Sequence, residues 1–125
     1  MSVRGPVSDA RRADERAGRT AEAIAAALLR FKGYRVLARR FRGQRGEIDL
    51  IARRGSILAF VEVKHRASIA AAAESVSPRQ RARIAAAAEE FIAARPRLGG
   101  LGIRFDAILV AAGKFPRHLA DAWRP

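Results

Sequence analysis

From about Gly18 to Lys32 apolar residues recur at helical spacing, with Ala21, Ile24, Ala25, Leu28 and Phe31 on one stripe of GRTAEAIAAALLRFK. Gly33 supplies a left-handed stop, and Glu22 lies on the flank of the stripe, on the side of Ala26 and Leu29. The period then shortens to two. YRVLARRF reads as a first strand, GEIDLIA as a second and ILAFVEVK as a third, with Gly55 in the ARRGS turn between the last two. These three form an antiparallel meander. Ahead of the helix, residues 1–17 read as a basic lead-in broken by Gly5 and Pro6 and carrying Arg11, Arg12 and Arg16. Residues 18–125 then form a single domain.

RASIAAAAESVS, from Arg66 to Ser77, has no decisive pattern and reads as a loop with a helical turn, a candidate mobile segment beside a site. Ser77-Pro78-Arg79-Gln80 is a helix start, with Ser77 as N-cap, Pro78 in the first turn and Gln80 placed to complete a capping box. That helix runs through Ile84, Ala87, Ala88, Phe91 and Ile92 and ends before Pro96. After the RLGGLG loop, IRFDAILVA is a fourth strand, which a strand–helix–strand crossover places parallel to the third. Leu119 and Trp123 dock the tail. The fold class is α/β, an α-β-β-β-α-β core with one mixed central sheet and a helix on each side.

Acids interrupt this pattern where a core should be. On alternating strands Glu47 and Asp49 point one way and Ile48 and Leu50 the other, while Phe60, Glu62 and Lys64 share a face opposite Val61 and Val63. A turn centred on Arg54–Gly55 pairs Glu47 with Glu62 and Asp49 with Phe60, leaving Asp49 diagonal to Glu62. A shift of one residue would separate the acids onto two faces. Facing carboxylates repel unless a cation lies between them. Mg²⁺, or Mn²⁺ in its place, suits two carboxylates, a neutral oxygen such as the Val63 carbonyl, waters and a substrate phosphate. The alternative is a one-sided sheet with its charged face in water, where Lys64 merely neutralises Glu62. Ile51 and Phe60 on that same face argue against it.

Composition adds a partner class. The net charge of +13 comes mainly from arginine, since only Lys32, Lys64 and Lys114 are lysines, and such a surface attracts polyanions. With 0 cysteines and 2 histidines, disulfides and thiolate metal centres are excluded and a zinc site lacks ligands. No uncharged stretch approaches the roughly 20 residues that span a bilayer, and the N-terminus lacks a signal-peptide core. The expectation is a soluble cytoplasmic protein with no membrane partner. His65, His118 and Trp123 read as surface or packing residues, and Asp106 as the partner of a nearby arginine.

GEIDLIA followed by FVEVKHR resembles the motif of the restriction-endonuclease-like, or PD-(D/E)xK, nuclease superfamily. The ordered series GRTAE, KGYRVLARRFR, GEIDLIA, FVEVKHR, VSPRQRARI, RFDAILV and HLADAW is similar, over nearly the whole chain, to the YraN-like family of small bacterial proteins. The resemblance implies a nuclease-like domain over residues 18–125 with Asp49, Glu62 and Lys64 as catalytic acid, acid and lysine. It also implies a metal held by Asp49, Glu62 and the Val63 carbonyl, with Glu22 matching the first-helix glutamate of related junction-resolving nucleases and Glu47 belonging to GEID. Two positions depart from the family pattern: Arg40 stands where asparagine is expected, and Gln80 where lysine is often found. Gln80 suits substrate contact and capping equally.

The first expectation is therefore a Mg²⁺- or Mn²⁺-dependent endonuclease hydrolysing phosphodiester bonds in structured DNA. Arg39, Arg40, Arg42, Arg66, Arg79, Gln80, Arg81 and Arg83 would hold the nucleic acid. The rivals are a non-catalytic nucleic-acid-binding module with a nuclease fold, and a basic adaptor docking on RNA or on an acidic protein. A homodimer would suit a two-strand substrate.

Overall fold

In the computed structural model, which describes residues 6–68, 70–71 and 76–125, helix α1 spans Pro6–Phe31. It is followed by the strands β1 (Arg35–Arg42), β2 (Glu47–Arg54) and β3 (Ile57–His65). Helix α2 (Pro78–Ala93) and a 3₁₀ turn (Pro96–Leu98) lead to β4 (Gly102–Val110) and a short β5 (Arg117–Leu119). The strands form one five-stranded sheet in the order β1-β2-β3-β4-β5, in which only β3 and β4 are parallel. The expected core is present, with β5 added at the edge. The segment from Arg66 to Ser77 falls partly outside the described residues.

The helices take opposite faces. Leu50, Ala52, Ala59, Val61 and Ile108 pack under α1 with Ala21, Ala25, Ala26 and Leu29. Ile51, Leu58 and Phe60 pack under α2 with Ile84, Ala87, Ala88 and Phe91. Burying two apolar stripes on one sheet is what makes an amphipathic α/β chain fold as three layers. Among the described residues no helix is long and apolar enough to cross a membrane.

Helix α1 differs from expectation in length and rotation. It begins at Pro6 rather than near Gly18, proline being well suited to a first helical turn. Its buried side is centred on Ala21, Ala25, Ala26 and Leu29, whereas Ile24 is 37% and Phe31 91% exposed. Small alanines let the helix lie close to the sheet, and the rotation turns Glu22 inward until its side chain is only 14% exposed. Gly33, at φ 90, ends the helix as expected, and the Tyr34 amide closes back on the Leu29 carbonyl at 2.9 Å.

The β2–β3 register is displaced by two residues from the expected one. Ile51 faces Phe60 and Leu50 faces Val61, so the turn is Gly55–Ser56 rather than Arg54–Gly55. Gly55 at φ 60 opens a two-residue turn of the II′ kind, which matches the strand twist. A shift of two keeps every side chain on its face. Continued by one step, this register brings Asp49 rather than Glu47 alongside Glu62.

Candidate active site

The hairpin becomes irregular where the chemistry lies. Ile48 and Leu50 should share a face, yet Ile48 packs in the core under α2 and Leu50 in the core under α1. The strand is therefore twisted through Asp49. On β1, Arg40 stands at the same level, between the Arg39–Leu50 and Phe41–Ile48 pairs, and takes φ 52. That left-handed conformation favours asparagine among residues with a side chain, which gives a backbone reason for the asparagine expected here. The β2–β3 pairing stops at Leu50 and Val61. Beyond it the Asp49 carboxylate replaces the backbone as acceptor, its Oδ2 receiving the Val63 N–H at 2.8 Å.

The neighbouring turn is fixed by close packing. Gly43 donates to the Gly46 carbonyl at 2.8 Å, and Gln44 N–H donates to Glu90 Oε1 of α2 at 3.0 Å. A Cβ on Gly46 would overlap the Arg83 carbonyl, so the glycine of GEID lets β2 start against the backbone of α2.

Glu62 and Lys64 project toward α2, where Gln80 joins them. Gln80 Nε2 donates to Glu62 Oε1 at 2.8 Å, Lys64 Nζ donates to Gln80 Oε1 at 2.9 Å, and Lys64 Nζ lies 3.2 Å from Glu62 Oε1. Glu62 and Lys64 are 6% and 9% exposed. Ser77 caps α2 by accepting the Gln80 N–H at 3.2 Å. The Gln80 side chain, committed to Glu62 and Lys64, does not complete the capping box. Its amide supplies one donor and one acceptor, which match a carboxylate and an ammonium respectively.

Burial pushes the Glu62 carboxyl up to about 8, the nearby Asp49 charge raising it further and Lys64 opposing both. Burial also raises Asp49, against the Val63 hydrogen bond. Burial and the proximity of the two acids thus favour the protonated form of the pair. Glu22 completes the group from the α1 side, adding to the pressure on Asp49 while its own Oε1 accepts from Arg40 Nε at 2.7 Å.

Two clefts adjoin the acids, Asp49 lining the first and Glu22 both. One, of about 500 Å³, is lined by Gly18, Arg19, Glu22, Arg40, Arg42 and Asp49 among others. The second, of about 470 Å³, lies between α1 and the end of β3, with Gly18, Glu22, Lys64, His65 and Arg66 in its wall.

Among the described residues no three carboxylates or imidazoles stand close enough to enclose an ion by themselves. The donor set nevertheless fits Mg²⁺ or Mn²⁺, which bind through one or two carboxylates and complete their shell with water and phosphate. Asp49 and Glu62 supply the carboxylates. A strand residue turns its N–H and C=O to the same side, so the Val63 carbonyl is directed toward Asp49 as well.

The other expected site residues divide. Glu47 is turned to solvent and pairs with Arg42 at 3.0 Å on the rim, away from Glu62. Arg39 is exposed, and Arg66 donates to the neighbouring His65 carbonyl at 2.7 Å. Arg79 is exposed at the start of α2. Arg83 lines a hollow with Gln80 and Glu47, whereas Arg81 lines a different one with Arg45 and Glu89.

One polar cluster lies outside the site. Asp106, fully buried, accepts from Arg104 twice at 2.8 Å, from His118 Nε2 at 2.8 Å and from the Asp121 amide at 2.9 Å. Burial pushes its carboxyl up, and the hydrogen bonds from His118, Arg104 and Asp121 overcome this to hold it at about 2. Tyr34 joins through its hydroxyl to Arg104. Trp123 stacks on Phe105 at 4.4 Å, so this cluster and that stack fasten the tail over β4. The arginine partner of Asp106 was legible from alternation along β4, but His118 and Asp121 meet it only through the fold.

Residues 21–110 match the model of a family described as uncharacterised protein family UPF0102. UPF0102 protein amb4503 of Paramagnetospirillum magneticum is 51% identical over 123 residues, covering 95% of each chain. A UPF0102 protein of Parvibaculum lavamentivorans is 52% identical over 110 residues, 88% of this chain and 83% of its own. UPF0102 protein BRADO0179 of a Bradyrhizobium species is 56% identical over 108 residues, 86% of this chain and 77% of its own.

Proposed function

The chain belongs to the YraN-like family UPF0102, and for this member of it we propose a metal-dependent nuclease that hydrolyses phosphodiester bonds in structured DNA. The observation that carries the reading is part-buried Asp49 near buried Glu62, with Lys64 and Gln80 against Glu62, and with Asp49 in the wall of a cleft that also carries Arg19, Arg40 and Arg42. A structural role alone does not call for two neighbouring acids and a lysine at the end of a hairpin, because burying such groups costs stability.

Asp49, Glu62 and the Val63 carbonyl would hold Mg²⁺ or Mn²⁺, with Glu22 within reach once it leaves Arg40. When bound, the ion supplies a Lewis acid for a phosphoryl oxygen and a more acidic water. Lys64, positioned between Gln80 and Glu62, would orient the attacking water. Gln80 keeps Lys64 and Glu62 in register. Arg42 and Arg66 at the mouths of the clefts hold flanking phosphates, contacts that position DNA without reading its sequence.

The Arg40–Glu22 ion pair favours a second reading, a nucleic-acid-binding module in which protein cations stand where a metal would. One experiment separates the two. Purified protein is incubated with linear, flapped and four-way DNA in Mg²⁺, Mn²⁺ or EDTA, beside Asp49→Ala and Lys64→Ala. Metal-dependent cutting lost in both variants supports the nuclease. Salt-sensitive binding with no cutting by any sample supports the module.

A further inference from the structure

The two clefts beside the acids share two residues, Gly18 and Glu22, one helical turn apart on α1. Gly18 lies well inside the helix, where glycine is the poorest choice after proline. Its backbone is not in the left-handed region, and among the described residues a Cβ placed on it would meet nothing within 4 Å. Neither conformation nor packing among the described residues therefore calls for glycine, in contrast to Gly46. What the missing side chain leaves is open space joining one cleft to the other above Glu22. Arginines stand on both sides of this saddle: Arg19, Arg40 and Arg42 in the first cleft, each beside an acid of the same wall (Glu15, Glu22 and Glu47) that a phosphate would displace, and Arg66 in the second.

We propose that a single polynucleotide strand crosses α1 at Gly18, with phosphates in both clefts and the phosphodiester between them above Glu22, Asp49 and Lys64. The inference deepens the nuclease reading and rests on it, naming the substrate as a separated strand such as a flap or a frayed end. Clefts of about 500 and 470 Å³ each lie in the range of small-ligand pockets, room for a nucleotide on either side of Gly18. Gly18 is then a clearance residue, kept small for the strand and not for the fold.

The test measures binding of a fluorescent single-stranded oligonucleotide of about 12 nucleotides in EDTA. Gly18→Leu should weaken binding about tenfold or more, with Gly18→Ala between it and the wild type. Both variants should melt at or above the wild-type temperature, because the space is open and the helix gains a better former. Thr20→Leu adds the same bulk to an exposed position of the same turn and should bind like the wild type. Unchanged binding by Gly18→Leu, equal weakening by Thr20→Leu, or no binding by the wild type overturns the proposal. Cleavage in Mg²⁺ is scored separately. Its absence alongside Gly18-dependent binding would remove the nuclease reading and leave the crossing in place.

Discussion

Asp49 Oδ2 accepts the backbone N–H of Val63 at 2.8 Å, so a carboxylate of the candidate site also closes the end of the β2–β3 hairpin. The two roles separate by substitution. Asp49→Asn keeps a carbonyl acceptor for Val63 and should remain within about 1 kcal/mol of wild type, whereas Asp49→Ala leaves a part-buried N–H unpaired and should lose about 1–3 kcal/mol. In both, the rise in melting temperature on adding Mg²⁺ should disappear. Thermal melts with and without Mg²⁺ check both halves, and a Mg²⁺ shift retained in Asp49→Asn would remove Asp49 from the metal site.

Arg40 holds Glu22 at 2.7 Å from a left-handed backbone position that asparagine tolerates. Arg40→Asn should therefore cost little stability, since the ion pair is half exposed on the arginine side and worth no more than about 1 kcal/mol. Freed from its counter-ion, Glu22 becomes available as a metal ligand. Mg²⁺ should bind about fivefold more tightly, that same energy expressed as affinity, in a calorimetric titration. Weaker Mg²⁺ binding by the variant would show that Arg40 organises Glu22 instead of competing for it.

Glu62 makes the metal-free protein sensitive to pH. Its folded carboxyl, raised to about 8 from 4.5, keeps a proton that the unfolded chain releases. This contribution to stability is therefore fully present below about 4.5 and is lost as pH rises through about 8. Glu62→Gln keeps an oxygen and removes the titration. Urea melts in EDTA from pH 5 to 9 should show the wild type losing stability relative to Glu62→Gln, with the difference levelling off above about 8. Parallel curves would place the proton elsewhere.

Gly46→Ala tests how the turn is seated. The new Cβ would overlap the Arg83 carbonyl on α2, a backbone atom with little freedom to move. The expected loss is about 1–3 kcal/mol in equilibrium unfolding. Gly55→Ala meets no neighbour but places a side chain at φ 60 and should lose about 1 kcal/mol, the cost of conformation without overlap. Equal losses at the two positions would mean that the contact with α2 is not what requires Gly46.

Alternation alone placed Asp49, Glu62 and Lys64 on one side of the hairpin, and a register error of two residues left that side unchanged because strands repeat every two. It did change the partner: Glu47 was paired with Glu62, whereas Asp49 occupies that level. The turn misled because Gly55 fits either the first or the second central position of a tight turn, and nothing local to ARRGS decides between them. Glu22 was legible only as a flank residue, since the rotation of α1 is set by Ala26 and Leu29 against a sheet assembled later in the chain. The backbone of Arg40 and the bridge of Gln80 from Glu62 to Lys64 were beyond reach for the same reason. Each depends on elements that meet across many intervening residues. Strand identities and the crossover were legible because period and length specify them within single segments, whereas Ile48 left its expected face through the twist at Asp49.

The stack of Trp123 on Phe105 gives the chain an optical reporter. The sequence has 1 tryptophan and 1 tyrosine, and both sit around the fastened tail, Trp123 over Phe105 and Tyr34 against Arg104. Tryptophan emission therefore reports whether the segment after β5 is seated, while far-ultraviolet circular dichroism reports α1 and α2. Unfolding curves from the two signals would coincide if the tail and the body come apart as one unit and would separate if the tail lifts first. The acids lie elsewhere, so a change in emission on adding DNA or Mg²⁺ would be a signal carried from the site to the tail across the sheet.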